Sequence, residues 1–266
     1  MIRGSWALMC GLGTILVGCS NDLKSPPEAI AVKSQALTGV VAAYGFDEAS
    51  GNDIADATGH GHDTTLSGQF RVAGKYGGAL DFAGDSLAIA DSNSLDLSDG
   101  MTVSVWIRPA EEHEDAPAIV AKEWEFGSVY GLGAGFSYLG TPLGPGGWIV
   151  SDNTYASVGT WIDEEFGTPV DAWTHLAVSY DSERLVLYVN GDPVAEEPFD
   201  QPIDATDLPL MIGGIQDQPF IGVIDEVRVY DRGLSEDEIE TDAHTPINQT
   251  APDTTCLLYT SDAADE

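Results

Sequence analysis

Basic residues are scarce. Ten Lys and Arg stand against 44 Asp and Glu in 266 residues, a formal net charge of −34. That balance excludes nucleic acid as a partner, because phosphates would be repelled rather than neutralised. It suits neutral glycans or divalent cations, and it also fits a salty habitat where screening relieves self-repulsion. Cysteine is scarce as well: Cys10 and Cys19 fall in an apolar leader and Cys256 near the C-terminus, so no disulfide framework holds the domain between them. After the leader no apolar run is long enough for a spanning helix. There is no P-loop, no dinucleotide-binding glycine pattern between a strand and a helix, no Ser or Cys nucleophile motif and no sustained repeat. Glycoside hydrolysis needs two carboxylates flanking the bond. Glu111–Asp115 contains a consecutive acidic run, and Asp163–Glu165 is another, so their side chains point to different faces and read as acidic loops. The chain is therefore read as non-enzymatic.

What is present begins with an address. Arg3 precedes an apolar stretch, Trp6–Val17, too short to span a bilayer, which ends in Leu16-Val17-Gly18-Cys19. This resembles a bacterial lipobox, in which cleavage before the cysteine frees it for acylation. Residues 1–19 are read as a lipoprotein signal peptide with Cys19 as the lipidation site. Ser20, rather than Asp, follows it, which points to the bacterial outer membrane, on its periplasmic or outer surface. Residues 20–38 are mostly polar, contain Pro26-Pro27, and read as a tether. At the other end, Cys256–Glu266 (CLLYTSDAADE) resembles a translated sequencing-library adapter, so residues 256–266 are set aside from fold reasoning. Residues 248–255 then read as a linker, with a further domain expected beyond Thr255.

Between these ends, residues 39–247 are short apolar segments punctuated by Gly, Asn and Asp. Thr102–Arg108 alternates strictly: Val103, Val105 and Ile107 face one side, Thr102, Ser104, Trp106 and Arg108 the other. Trp173–Tyr180 repeats the pattern. Arg184–Val189 and Asp192–Glu196 flank Asn190-Gly191, a pair that tolerates positive φ at both central positions of a tight hairpin. Val40–Phe46, Gly78–Phe82, Ser86–Ile89, Leu210–Gly213 and Phe220–Tyr230 complete the strands. Ser235 with Glu238 three residues later forms a capping-box pattern for one short helix. Region 123–165, with Gly131, Gly133, Gly135, Gly140, Gly144, Gly146 and Gly147, reads as turn-rich and irregular. Many short strands and one terminal helix predict an all-β, two-sheet antiparallel sandwich.

Three segments make the prediction specific: AYGFDEASGNDIADATGHGHDTTLSG with GKYGGALDFAGDSLAIADSNSLDLSDGMTVSVWIRP, then AWTHLAVSYDSERLVLYVNGDPVAEE, then IGGIQDQPFIGVIDEVRVYDRGLSEDEI. In this order and spacing the chain resembles the laminin-G-like, concanavalin A-like jelly-roll domains of bacterial extracellular proteins. The resemblance implies a jelly roll whose first and last long strands are neighbours. It also implies a structural Ca²⁺ between them, held by Asp47 and Asp225, with Asp56 and its loop to Asp63 supplying further oxygens. His60 and His62 depart from the Asn-rich loop of the family. Zinc on His60, His62 and Asp63 is the weaker reading, because a structural zinc site wants four ligands. Asp225 and Glu226 interrupt an apolar strand, and a carboxylate there needs a partner. The family also implies a glycan or a cell-surface protein as ligand. Among the aromatics Trp124, Tyr138, Trp148, Tyr155 and Trp161, the acidic neighbours of Trp124 and Trp161 mark those two as the ligand-binding residues. Two functions remain open: a binding or adhesion module of a surface lipoprotein, or an accessory or targeting domain of a truncated carbohydrate-active enzyme.

Overall fold

The computed structural model describes residues 37–111, 117–125, 127–138, 141–161, 166–215 and 218–247. The chain divides between Gln35 and Ala36 into two compact units, and all described residues belong to the second. In chain order the strands are β1 (Val40–Tyr44), β2 (Asp53–Ile54), β3 (Thr64–Thr65), β4 (Phe70–Ala73), β5 (Gly78–Ala83), β6 (Leu87–Ile89), β7 (Met101–Pro109), β8 (Ala118–Trp124), β9 (Gly127–Gly133) and β10 (Phe136–Tyr138). They continue as β11 (Thr141–Ser151), β12 (Thr154–Trp161), β13 (Thr174–Tyr180), β14 (Arg184–Val189), β15 (Asp192–Pro198), β16 (Leu210–Ile212), β17 (Gly214–Ile215), β18 (Gln218–Pro219) and β19 (Ile221–Tyr230), followed by helix α1 (Glu236–Ala243). Eight strands form the first sheet, in the order β15-β14-β13-β7-β19-β5-β4 with β1 also paired to β19. Seven form the second, in the order β10-β11-β9-β8-β16-β6 with β12 on β11.

The two sheets stack through their alternating apolar sides. Val103, Val105 and Ile107 of β7 and Leu176 and Val178 of β13 meet Tyr130, Leu132, Ile149, Ala156 and Val158 of the second sheet in one buried cluster. A period of two has this outcome, because successive side chains of a strand leave opposite faces. The other side of β7 is covered as well: Thr102, Ser104 and Trp106 are buried. The terminal segment with α1 covers them: Thr102 Oγ1 donates to the Arg232 carbonyl, and Trp106 Nε1 donates to the Ala243 carbonyl at 3.0 Å. The helix starts where its sequence signal lies, with Ser235 as N-cap and the Ser235–Glu238 capping box formed. Among the described residues no helix is long and apolar enough to cross a membrane.

The β14–β15 hairpin turns at Asn190 (φ +54°) and Gly191 (φ +95°), with Val189 paired to Asp192. A Cβ on Gly191 would meet only Glu240 Cα, at 3.9 Å, so the glycine is needed for its backbone conformation and not for space. Gly191→Ala is expected to cost about 1 kcal/mol, lowering the thermal midpoint by about 2–4 °C, and Gly191→Asn less. Thermal unfolding of the two variants checks this order.

Region 123–165 overturns the sequence reading. Much of it belongs to β8, β9, β10, β11 and β12, and it supplies most of the second sheet. Gly131 and Gly147 are strand residues. A Cβ on Gly131 would overlap the Trp148 indole, and one on Gly147 would overlap the Val178 side chain of the facing sheet. Glycine is there because another chain segment occupies the space a side chain would need.

Candidate functional site

The residues read as cation ligands converge at a seam in the first sheet. One edge of β19 pairs with β5 through Ile224 and with β1 from Val227 onward. Asp225 and Glu226 fall in the gap between these partners. Against β7, the strand bulges there: Asp225 is opposite Trp106 and Arg228 opposite Ser104. Glu226 takes φ +54°, and so does Phe46 beyond the end of β1. Two non-glycine residues in left-handed conformation at one seam mark a place where the fold tolerates strain to aim side chains.

The turn between β4 and β5, Gly74-Lys75-Tyr76-Gly77-Gly78, closes the gap. Asp225 accepts from Tyr76 N at 3.0 Å and Glu226 N at 2.7 Å, and Asp47 accepts from Gly78 N at 2.6 Å. A Cβ on Gly77 would overlap the Asp47 carboxylate, which explains a glycine at that point of the turn. Glu226 Oε2 accepts from Arg228 and from Ile247 N, each at 2.8 Å, while buried Glu226 Oε1 has no hydrogen-bond partner among the described residues. Burial pushes the Asp225 carboxyl up to about 7 against backbone donors that pull it down, and the charge of Asp47 adds to the rise. Burial pushes Glu226 up to about 8, with Arg228 opposing and Asp225 and Asp47 adding. Two adjacent buried carboxyls with one unpaired oxygen form an environment that a hard cation would relieve.

The sequence-nominated residues are only partly assembled here. Asp47 and Asp225 come together, although Asp47 lies beyond the end of β1 rather than closing it. Asp56 does not join them. Its carboxylate closes its own loop, accepting from Ala43 N, Thr58 N and the Thr58 hydroxyl, and from His62 N at 3.4 Å. Among the described residues no three His, Cys, Asp or Glu side chains group to hold a metal. A cation at the seam would therefore rest on Asp47 and Asp225 and draw its other ligands from backbone carbonyls or water. The histidines of the loop are also engaged locally: His60 Nδ1 with the Val41 carbonyl and His62 Nε2 with Ser94 Oγ. Cys19 lies outside the described residues.

The second sheet carries a different surface. Strand register places Ala88, Met211, Ala121, Gly131, Trp148 and Ser157 in one row across β6, β16, β8, β9, β11 and β12. The row faces away from the sandwich core, since its strand neighbours Ile89, Val120, Leu132, Ile149 and Ala156 are the residues that enter it. Five of its six residues are short or flexible, and the sixth is an indole lying over Gly131. Trp148 Nε1 donates to Ser128 Oγ at 2.8 Å, which fixes the ring, and Ala118, Ala121 and Ile215 pack around it. Ser157 and Met211 are half-buried and Ala88 is exposed. On the open edge strand β12, Tyr155 leaves the same side as Ser157 and is 53% exposed.

Trp124 and Trp161 stand at opposite ends of this sheet. Trp124 pairs with Gly127 at the end that holds the β11–β12 turn, and Trp161 pairs with Leu143 at the other. They do not share one site. The row between them was not legible as a surface, because its glycines were read as turns.

A family model described as the concanavalin A-like lectin/glucanases superfamily matches residues 81–240. The chain belongs to this superfamily. No curated protein sequence matches it significantly. Among solved structures, domain 4 of AbnA, a GH43 extracellular arabinanase from Geobacillus stearothermophilus in complex with arabinotriose, is similar at TM-score 0.61 and 22% identity, covering 77% of this chain and 98% of that domain. The binding domain of Paraclostridial Mosquitocidal Protein 1 is similar at TM-score 0.62 and 17% identity, over 77% of this chain and 52% of that one. The ligand-binding domain of botulinum neurotoxin serotype D in complex with N-acetylneuraminic acid follows at TM-score 0.57 and 13% identity, over 77% and 50%. The chain thus spans about half the length of the toxin domains it matches, and at these identities the likeness concerns the fold. It settles the architecture as a concanavalin A-like jelly roll with antiparallel sheets and one short helix.

This superfamily fold also buries a trio that imitates a catalytic set. Ser104 Oγ donates to Asp242 and lies 3.0 Å from His175 Nε2. The serine hydroxyl donates its hydrogen bond to the carboxylate of Asp242 on α1, and all three side chains are buried between the helix and the first sheet. The geometry serves to hold the helix, since a nucleophile must meet its substrate.

Proposed function

We propose that this domain is a non-catalytic glycan-binding module whose sugar lies along the outer face of the second sheet. The row from Ala88 to Ser157 carries the reading. The accessible members of the row, Ala88, Met211 and Ser157, present small or flexible side chains to a sugar chain, and the exposed ring of Tyr155 offers a face for stacking, while Ala121, Gly131 and Trp148 form the buried, packed middle of the row. The arabinotriose complex of the Geobacillus domain, which this chain covers almost entirely, supports a glycan as the ligand class. A protein receptor on a cell surface is the competing partner, supported by the likeness to toxin binding domains. The module is displayed on the bacterial outer membrane through lipid on Cys19. An accessory role beside a catalytic domain is the second reading, and the AbnA domain supports it.

A seam cation is part of the proposal: Ca²⁺ held by Asp47 and Asp225 would neutralise the buried carboxyls and fix the β1–β19–β5 junction. Binding itself is tested with Tyr155→Ala, which removes an exposed ring without touching the core. It is expected to weaken glycan binding about tenfold, equivalent to about 1.4 kcal/mol, with an unchanged thermal midpoint. Trp124→Ala and Trp161→Ala, at the two sheet ends, are expected to have smaller effects. A glycan array with these three variants measures it, and full retention of binding by Tyr155→Ala would remove this face from the account.

A further inference from the structure

From the distribution of cations we infer that the second-sheet face selects neutral glycans and discriminates against sialylated, sulfated and uronic ones. The inference rests on the reading of that face as the sugar site and adds the substrate class. Its basis is where the few basic residues lie. The sequence holds no Lys or Arg from Glu123 to Glu183, which covers all of β9, β10, β11 and β12, and none in β6 or β16. The one basic residue of the second sheet is Lys122 on β8. Its side chain is fully buried, on the face opposite Ala121, and is bound to Asp91 and the Leu208 carbonyl.

Every other Lys and Arg of the described residues belongs to the first sheet or its connections, and each is engaged there. Arg71 pairs with Glu48, Arg184 with Glu196, Arg228 with Glu226 and Asp242, and Arg232 with Glu238. Lys75 Nζ sits 3.8 Å from the centroid of the Trp106 ring, and Arg108 lies over Trp173. Nearer the row, the charges are acidic: Glu123 on β8, and Asp152 with Asp204 at the β11–β12 turn.

A carboxylate or sulfate on the sugar would lose water without gaining a charged donor and would face like charge. A neutral hydroxyl-bearing ring loses little and keeps its stacking contact. This separates the chain from the neurotoxin domain bound to N-acetylneuraminic acid, with which it shares the fold. The same charge argument predicts how salt acts. Screening shortens the reach of repulsion, so acidic sugars would gain from added salt and neutral ones would not.

The test uses the full chain and matched probes: lactose against sialyllactose and sulfated lactose, and arabinotriose against trigalacturonate. Affinities are measured by titration at about 0.01 M and about 1 M salt, with and without added calcium. The expected result is binding of at least one neutral probe with a salt-independent Kd, its acidic counterpart at least about tenfold weaker at low salt, and a narrower gap at high salt. An acidic probe that binds as well as its neutral counterpart, in either calcium condition, overturns the selectivity while leaving the glycan reading intact. Binding confined to acidic probes does the same. Folded protein that binds no probe, and whose glycan array is also empty, removes the glycan reading and the selectivity with it.

Discussion

Replacing Arg228 by Ala is expected to destabilise the domain by about 3–5 kcal/mol, because it strips the guanidinium from a buried set of carboxylates. Arg228 meets Glu226 at 2.8 Å and Asp242 at 3.4 Å, and both carboxylates are essentially inaccessible to water. It also donates to the Thr245 carbonyl. Asp242 arrives from α1 and accepts from Ser104 and Tyr230, so the helix is seated through charge as well as through Ile239. Burial alone would raise the Asp242 carboxyl, but Arg228, His175 and Ser104 hold it down to about 2. Removing one member leaves the others buried without compensation, which costs far more than the pair contributes over an apolar replacement. The combined variant Arg228→Met, Asp242→Leu, Glu226→Gln, which leaves no carboxylate behind, should therefore recover much of the loss. Chemical denaturation of the two variants measures both halves, and a single variant within about 1 kcal/mol of the parent would refute the account.

The same network sets how acid acts. Burial lowers the pKa of His175 from its ordinary 6.5, and its Nδ1 has no hydrogen-bond partner among the described residues. Below pH 6.5 the unfolded chain takes up a proton that the folded one resists, so stability falls as pH drops through that value. Asp242 contributes fully above its ordinary 3.8 and loses its contribution as pH falls from there toward 2. Asp225 and Glu226, pushed up to about 7 and about 8, act the other way and add stability as pH falls from there toward about 4. The His175 contribution is therefore read as a difference: relative to the parent, His175→Gln is expected to gain stability as pH falls below 6.5, while the loss below 4 is common to both, as read by midpoints of denaturation across pH.

Calcium should raise the thermal midpoint by about 5–10 °C. The figure follows from about 2.7 kcal/mol at a hundredfold excess over Kd and about 2–4 °C for each kcal/mol in a domain of this size. Asp225→Asn is expected to abolish the shift. Without calcium the same variant should stay near the parent in stability, because the carboxyl it replaces is already pushed up to about 7 and spends much of its time neutral near that pH. Asp56→Asn should keep the calcium response, since its carboxylate serves the loop from Ala43 to His62. Magnesium should give a smaller effect, as it demands a tight octahedral shell. A midpoint indifferent to calcium would refute the seam as a cation site.

How much of this was legible depended on whether the signal was local. The β7 and β13 alternation, the Asn190-Gly191 turn and the Ser235–Glu238 box each lie within a few residues, and the fold follows them. Asp225 and Glu226 in mid-strand announced a need for partners, and the structure supplies backbone amides and Arg228. What failed was the second sheet. In β9 and β11 glycines replace the side chains that would reveal a period of two, and the reason for them lies elsewhere, in Trp148 and in Val178 of the opposite sheet. Trp148 was nominated among the loop aromatics, but nothing near it in sequence shows that Gly131 lies beneath its ring. The Ser104–His175–Asp242 contact was equally hidden, for it joins residues from two strands and the terminal helix.

Both ends of the described chain sit on one side of the sandwich. Leu37 packs beside Tyr188, Tyr230 and Ile239, Thr38 is held by Arg232, and Ile247 is tied to Glu226. All of these belong to the outer side of the first sheet or its margin. The row from Ala88 to Ser157 lies on the second sheet, facing the opposite way, so a label or immobilising group placed at Leu37 or Ile247 would leave the row uncovered.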